Sequence, residues 1–453
     1  MEDTFNFPAN QIIKHGDYII IQRQDYTKLH KFTTGDSTSM LGKDQIKLQN
    51  INGFPYFSSF KMIPKDKKKR IYTLEHCKNI HDLKEGFLDR KSGADNRNIR
   101  DDGQSQTLST EDISRLKEND CSSTEIVSQL IENSKTFASK TEYSQEKYIK
   151  KKEKKYFEYL LIRKPTIRLI TEIFYRQDPS KVLGLRNDSL AQLLCYANIN
   201  SLGSFLLYES GTNGLLPAAI MSLIGENTTG ALIHMHPGNL PQQQGILALN
   251  LSEEQRARCV SVNIYSVLRH YYQSYLPANL ETVGKKKRKL SGDLLVESIE
   301  QTSTKKIKTG VENENISNGA EATLAEIGIR EKSPLEQQPW QIANAKACEY
   351  LNKGLDSLVV VAKEHPSNIV RGLLPFTRNS APIAIFSVSR EPLINLYSEL
   401  KQEGYVTGIK ITSNWMRTYQ VLANRTHPDV NMNATSGFLL TGWKVDPKSN
   451  EQS

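Results

Sequence analysis

The sequence predicts an α/β fold: a doubly wound domain over residues 179–278 and 338–446, preceded by a small β-barrel over 1–83 and a basic helical segment over 123–178. Three observations carry this. Helix-period and strand-period apolar patterns alternate through both blocks, and short strand-like runs separated by glycine turns crowd the first 83 residues. Third, Gly203-Ser-Phe-Leu-Leu-Tyr-Glu-Ser-Gly-Thr-Asn-Gly214 reads as a buried strand entering a glycine turn, the shape of the first βα unit of a nucleotide-binding domain. Phe205 to Tyr208 is the strand, Glu209 closes it, Gly211 and Gly214 let the backbone turn, and Leu215 to Leu223 resumes a helical pattern.

Composition bounds the rest. A chain of 453 residues has room for two or three domains, but 38% hydrophobic residues is lean, so the cores are smaller than the length suggests. Lys+Arg 59 against Asp+Glu 50 gives +9, and the excess sits in a few runs, which favours a polyanionic partner. Cysteines 77, 121, 195, 259 and 348 are scattered with no Cys-x-x-Cys pair, so no disulfide framework, zinc site or other metal is expected, and a reducing compartment fits. With no signal-peptide pattern and no apolar run of about 18 residues, neither secretion nor a membrane span is expected.

In chain order, Tyr18 to Gln22, Lys28 to Thr33 and Gln45 to Gln49 read as strands of a small barrel or sandwich, with turns at His15-Gly-Asp, Thr34-Gly-Asp-Ser and Asn52-Gly-Phe-Pro. The segment ends in a basic run from Lys61 to Arg70, in which Lys65, Lys67, Lys68, Lys69 and Arg70 are either a solvated loop or a nucleic-acid contact. Residues 84–122 are polar and aperiodic, a disordered linker. Ser123 or Thr124 caps a helix through Ile126, Leu130 and Ile131, and a second helix runs from about Ser144 to Arg163. On it Lys147, Lys150, Lys151 and Lys154 share one face, with Lys155 beside them, while Ile149, Tyr156, Phe157, Leu160 and Leu161 gather on another. The basic face is a candidate for phosphate contacts.

The α/β domain continues with a helix at Leu190 to Tyr196, the Phe205 strand, a helix at Ala218 to Ile224 and a strand at Gly230 to His234. Beyond an interruption come a helix at Trp340 to Leu351, strands at Leu358 to Ala362 and Ile383 to Ser387, a helix at Pro392 to Gln402, and closing strands at Tyr405 to Ile411 and Phe438 to Val445. The interruption, 279–337, is too polar to bury a core and should loop out as a disordered basic insertion. Within it Lys285, Lys286, Lys287, Arg288 and Lys289, followed by Lys305-Lys-Ile-Lys308, form either a nuclear-import signal or a nonspecific basic linker.

Leu185-Arg-Asn-Asp-Ser-Leu-Ala-Gln-Leu-Leu with Asn198-Ile, Lys363-Glu-His-Pro366, Trp415-Met-Arg-Thr-Tyr-Gln-Val421 and His427-Pro428 together carry a resemblance. The chain resembles the non-catalytic, RNA-binding subunits of eukaryotic tRNA adenine-58 N1-methyltransferases, from the Ile13-Lys-His-Gly-Asp17 barrel start through nearly the whole α/β domain. The resemblance implies a Rossmann-like methyltransferase fold with a degenerate cofactor site and a catalytic sister subunit, two of each chain forming a heterotetramer. It also implies a nuclear location, and tRNA, initiator tRNA included, as the bound nucleic acid. S-adenosylmethionine would then bind the sister chain and not this one.

An active site of this fold needs three things. Catalytic sisters resemble Glu-x-Gly-x-Gly-x-Gly, whereas this chain reads Glu209-Ser-Gly211-Thr-Asn213-Gly214-Leu215, so Leu215 sets a branched side chain where the cofactor's tail would meet backbone. The next strand should end in a carboxylate for the ribose hydroxyls, but ends His234-Met-His236-Pro237; two histidines without a third ligand do not make a metal site. A catalytic Asp-x-Pro-like site would fall at Val361 or Ala362, with Glu364 close by. The expected reading is therefore a non-catalytic subunit with no catalytic residues of its own. An active methyltransferase with an unusual loop, and a general RNA-binding protein of translation initiation, are the alternatives. The sister chain is expected to dock around Trp415 to Val421 and Phe438 to Trp443.

Overall fold

The computed structural model describes residues 11–66, 69–77, 92–93, 95–97, 99, 105–118, 123–156, 158–274, 338–421, 425–432 and 434–446. Six strands come first: β1 (Tyr18–Arg23), β2 (Tyr26–Lys31), β3 (Thr38–Leu41), β4 (Asp44–Lys47), β5 (Ser59–Asp66) and β6 (Ile71–Cys77). Three helices follow, α1 (Thr110–Glu118), α2 (Ser123–Glu132) and α3 (Glu142–Tyr156), then β7 (Tyr159–Arg163). These seven strands form one curled sheet in the order β2-β1-β7-β5-β6-β4-β3. Its two edges nearly meet: Lys28 Nζ donates to the Met40 carbonyl at 2.7 Å and His30 lies 3.2 Å from the Ser37 hydroxyl. Alternation fills the inside with Ile19, Ile21, Phe60, Leu160 and Ile162, while Ile20 faces outward.

The helix expected to reach Arg163 stops at Tyr156. Tyr159–Arg163 alternates in burial, and it pairs antiparallel with both β1 and β5, which would otherwise carry open edges. Leu160 and Leu161 therefore belong to the barrel and not to an apolar helix face. The linker reading of 84–122 also fails in part, because Thr110–Glu118 is helical. Ser109 caps it by exchanging hydrogen bonds with Asp112, and Leu108, Ile113 and Leu116 pack on Ile126, Val127, Leu130, Ile131 and Phe137. Cys121 lies outside the described residues.

The α/β domain runs α4 (Ile167–Gln177), α5 (Asn187–Tyr196), β8 (Ser204–Glu209), α6 (Leu215–Ile224), β9 (Ala231–His236), α7 (Gln244–Ala248), α8 (Glu253–Ala257), β10 (Cys259–Asn263) and α9 (Ile264–Ser274). It resumes with α10 (Pro339–Lys353), β11 (Ser357–Val361), α11 (Pro366–Leu373), β12 (Pro382–Ser387), α12 (Glu391–Glu403), β13 (Val406–Thr412), β14 (Tyr419–Gln420), β15 (His427–Pro428) and β16 (Phe438–Lys444). The large sheet has the order β10-β9-β8-β11-β12-β16-β13, parallel except for β16. One core covers each face, and the order reverses between β8 and β11, where ligands enter folds of this kind. This is the Rossmann-like methyltransferase arrangement. β16 lies between β12 and β13 with Leu439, Leu440, Thr441 and Gly442 buried, so of the stretch Phe438 to Trp443 only Trp443 is exposed to meet a partner. The barrel is fixed to the domain by Ile20 against α4 and by the Asn250 amide, which bonds both backbone groups of Tyr18 at 2.8 and 2.9 Å.

Candidate nucleic-acid interface and the degenerate nucleotide loop

The two basic runs, about 80 residues apart in sequence, are brought together by β7. Lys61 is the register partner of Tyr159 and the Met62 N–H donates to the Glu158 carbonyl at 2.7 Å, so the last turn of α3 meets the half of β5 that leads to Lys65. Lys65, Lys69, Lys147, Lys150 and Lys151 are exposed, and among the described residues Lys65, Lys147 and Lys151 have no ion-pair partner. Lys150 lies 3.5 Å from Glu146 one helical turn back, and Lys147 sits over the Tyr143 ring. Arg70 is tied down instead: with Arg23 it brackets the buried carboxylate of Asp44 at 2.7 and 2.8 Å. Of Lys154 and Lys155 only the helical backbone is described, while Lys67, Lys68 and Lys285 to Lys289 lie outside the described residues.

α3 also touches the far end of the chain. A hairpin of β14 and β15 rises from the carboxyl end of β13, and Arg425 within it stacks on Tyr143 at 5.4 Å. Trp415, Tyr419 and Val421 of the same excursion are more than half exposed, with Arg417 over Trp415 at 4.5 Å. These residues lie in the stretch Trp415 to Val421 singled out in the sequence.

At the first βα turn the polar groups point inward. Glu209 is buried and sits 3.2 Å from His234 Nε2, whose Nδ1 lies 3.1 Å from the Ser261 hydroxyl. His236, the last residue of β9, stands where the ribose carboxylate would be; burial first, and His234 second, lower its pKa from 6.5 to about 4, leaving a neutral imidazole. Glu364 accepts from the Ser210 hydroxyl and from Tyr208; burial, then the Glu364 charge, push the Tyr208 phenol well above its ordinary pKa. Glu364 itself is exposed and lines the cleft at the ends of β11 and β12, with its carboxylate engaged by these two hydroxyls. Among the described residues no group of three His, Cys, Asp or Glu side chains is placed to hold a metal ion.

The loop itself keeps its shape, with Asn213 and Gly214 left-handed at φ 55° and 70°, and it is covered by the protein's own chain. The Asn213 N–H donates to Gln242 Oε1 at 2.6 Å, the Gly245 N–H donates to the Asn213 carbonyl at 2.9 Å, and a Cβ on Gly214 would collide with the Gln242 carbonyl. Across Gly211 lies Lys363, whose Cε would be 3.0 Å from a Cβ there. Leu215, expected to obstruct the cofactor, is instead buried in the core beneath; residues 242–245 and Lys363 do the obstructing. A cleft of about 230 Å³ opens at the ends of β11 and β12, lined by Lys363, His365, Phe386 and Pro392. It is smaller than the ~300 Å³ at which small-molecule sites begin. The residues present do not fit S-adenosylmethionine. No sequence pattern announces the cover, because Gln242 to Gly245 reaches the loop only through the fold.

A sequence profile of the Gcd10p family matches residues 12–305. The chain is 29% identical over 465 residues to the tRNA (adenine(58)-N(1))-methyltransferase non-catalytic subunit TRM6 of Mus musculus, covering 96% of this chain and 89% of that protein. It is 31% identical over 443 residues to the non-catalytic subunit trm6 of Dictyostelium discoideum, covering 96% and 80%. The crystal structure of tRNA (m1A58) methyltransferase TrmI from Aquifex aeolicus aligns with 96% of this chain and 100% of that one at 10% identity and a TM-score of 0.44.

Proposed function

The chain belongs to the Gcd10p family, and on that premise we propose that it is the non-catalytic, tRNA-binding subunit of a tRNA N1-methyladenosine-58 methyltransferase complex. The observation that carries this is the covered loop: the one place where this fold would hold its methyl donor is filled by Gln242 to Gly245 and Lys363. Lys65, Lys147 and Lys151, exposed and without ion-pair partners among the described residues, support the RNA half of the reading, since each phosphate they neutralise releases counterions.

In this reading S-adenosylmethionine binds a catalytic sister chain, and two copies of each subunit form the working assembly. The sister docks on the hairpin around Trp415 to Val421. The complex acts in the nucleus on tRNAs, initiator tRNA included, with Lys285 to Lys289 as the import signal. Microscopy of a chain with those five residues changed to alanine tests the address: retention in the nucleus would refute it. Calorimetry with the cofactor, together with native mass spectrometry of the co-expressed subunits, tests the rest. The expected result is a four-chain complex that binds cofactor through the sister and an isolated chain that binds none; micromolar binding to this chain alone would overturn the proposal.

A further inference from the structure

We propose that the groove between α9 and α10 is a second RNA contact, which stacks an exposed nucleobase and pairs its phosphate with Arg269. The inference rests on the tRNA-binding reading and adds a site to it. The groove lies at the β10 edge of the large sheet; the hairpin touching α3 rises from β13 at the other edge. Six inter-strand spacings of about 4.8 Å put roughly 29 Å between those edges.

The groove has a volume of about 520 Å³, and its rims are aromatic: Tyr265 is 70% exposed and Trp340 58%. Its floor is rigid. Asn344, almost fully buried, donates to the Ser266 hydroxyl at 2.8 Å, and Ser266 N–H donates to Asn263 Oδ1 at 3.0 Å. Asn263 in turn donates to the carbonyls of Pro237 and Gly238, each at 3.0 Å. Both helices are therefore held in place before anything binds. No carboxylate lines the groove, and Arg269 has no ion-pair partner among the described residues.

Two aromatic faces over amide side chains, with a cation at the rim, are what an unstacked base and its phosphate require: every base has a face to stack, and amides can meet its polar edge. An apolar peptide would instead strip water from Asn263, Ser266, Gln273, Gln341 and Asn344 without replacing their hydrogen bonds.

The test uses the complex reconstituted with its catalytic subunit and an unmodified tRNA transcript, with affinity measured at several salt concentrations. Trp340→Ala should weaken binding about tenfold and leave the salt slope unchanged, since stacking releases no counterions, and Trp340→Phe should restore most of the loss. Arg269→Ala should weaken binding and lower the slope by about one. Full affinity in Trp340→Ala overturns the proposal, as does failure of that variant to assemble with the catalytic subunit, which would make the groove a protein interface. Glu substitutions on α3 in the same assay separate the two readings. If they weaken binding while Trp340→Ala does not, only the groove falls; if neither weakens it, tRNA binding by this chain falls as well.

Discussion

The turn after β8 and the barrel edge at α3 treat polar groups in opposite ways. At the turn, Glu364 takes Ser210 and Tyr208, Gln242 takes the Asn213 N–H, and His234 Nδ1 meets the Ser261 hydroxyl, while Glu209 Oε2 and His234 Nε2 are shut away from water without a hydrogen bond. At the edge, Lys65, Lys147 and Lys151 are exposed and, among the described residues, have no ion-pair partner. The contrast is one of access: the polar groups of the turn are buried or bonded within the protein, whereas the lysines of the edge face water. Salt should therefore control one region and acid the other.

The largest expected effect is at the edge. Changing Lys147, Lys150, Lys151 and Lys154 to Glu should weaken tRNA binding by on the order of 100-fold to 1,000-fold, about 3–4 kcal/mol, and flatten its salt dependence, with the fold intact. Filter binding across a salt series reads this; an unchanged slope would mean the helix is only a solvated surface.

Acid tests the turn. With the His236 pKa held near 4 in the fold and near 6.5 in the unfolded chain, only the unfolded chain takes up the proton between those values. Stability present above pH 6.5 should thus decline on acidification towards pH 4, by roughly 3 kcal/mol at most. Urea unfolding of His236→Gln should show a flatter profile over that window, and tRNA binding at neutral pH should be unaffected. An identical profile in the variant would place the acid sensitivity elsewhere.

The smallest effect probes the cover directly. Gly214→Ala forces a left-handed alanine against the Gln242 carbonyl and should cost about 2 kcal/mol in thermal or chemical unfolding. Wild-type stability would mean that residues 242–245 lift easily and that the loop is open after all.

The alternating order of the large sheet was legible in the sequence, because β8, β11 and β12 are largely apolar runs of strand length buried on both faces and β9 opens on one, Ala231-Leu-Ile233. β10 was not: Cys259-Val-Ser-Val-Asn buries only Val260 and Val262, too little signal in five residues to distinguish it from a loop. β7 was hidden by the lysine helix that runs into it, and only the open edges of β1 and β5 settle its state. At the turn, the loss of glycines and the missing ribose carboxylate were readable residue by residue. The pairing of Glu209 with His234 and the cover by residues 242–245 were not, because both depend on which segments the sheet sets side by side. The aromatic groove belongs to the same class: Tyr265 and Trp340 are separated in sequence by the basic insertion and joined only through α9 and α10.

β7 has one more consequence, which concerns time. Ile20 to Gln22 find their second set of partners at Leu161 to Arg163, so one edge of β1, like one edge of β5, stays unpaired until the ribosome has made the helical segment and β7 as well. At about 5–20 residues per second, the roughly 85 residues between β6 and the end of β7 take about 4–17 s. For that interval β1 and β5 each present a bare edge, and pairing across such a separation is intrinsically slow. The newborn chain is therefore exposed to wrong strand pairing until β7 emerges behind its basic helix.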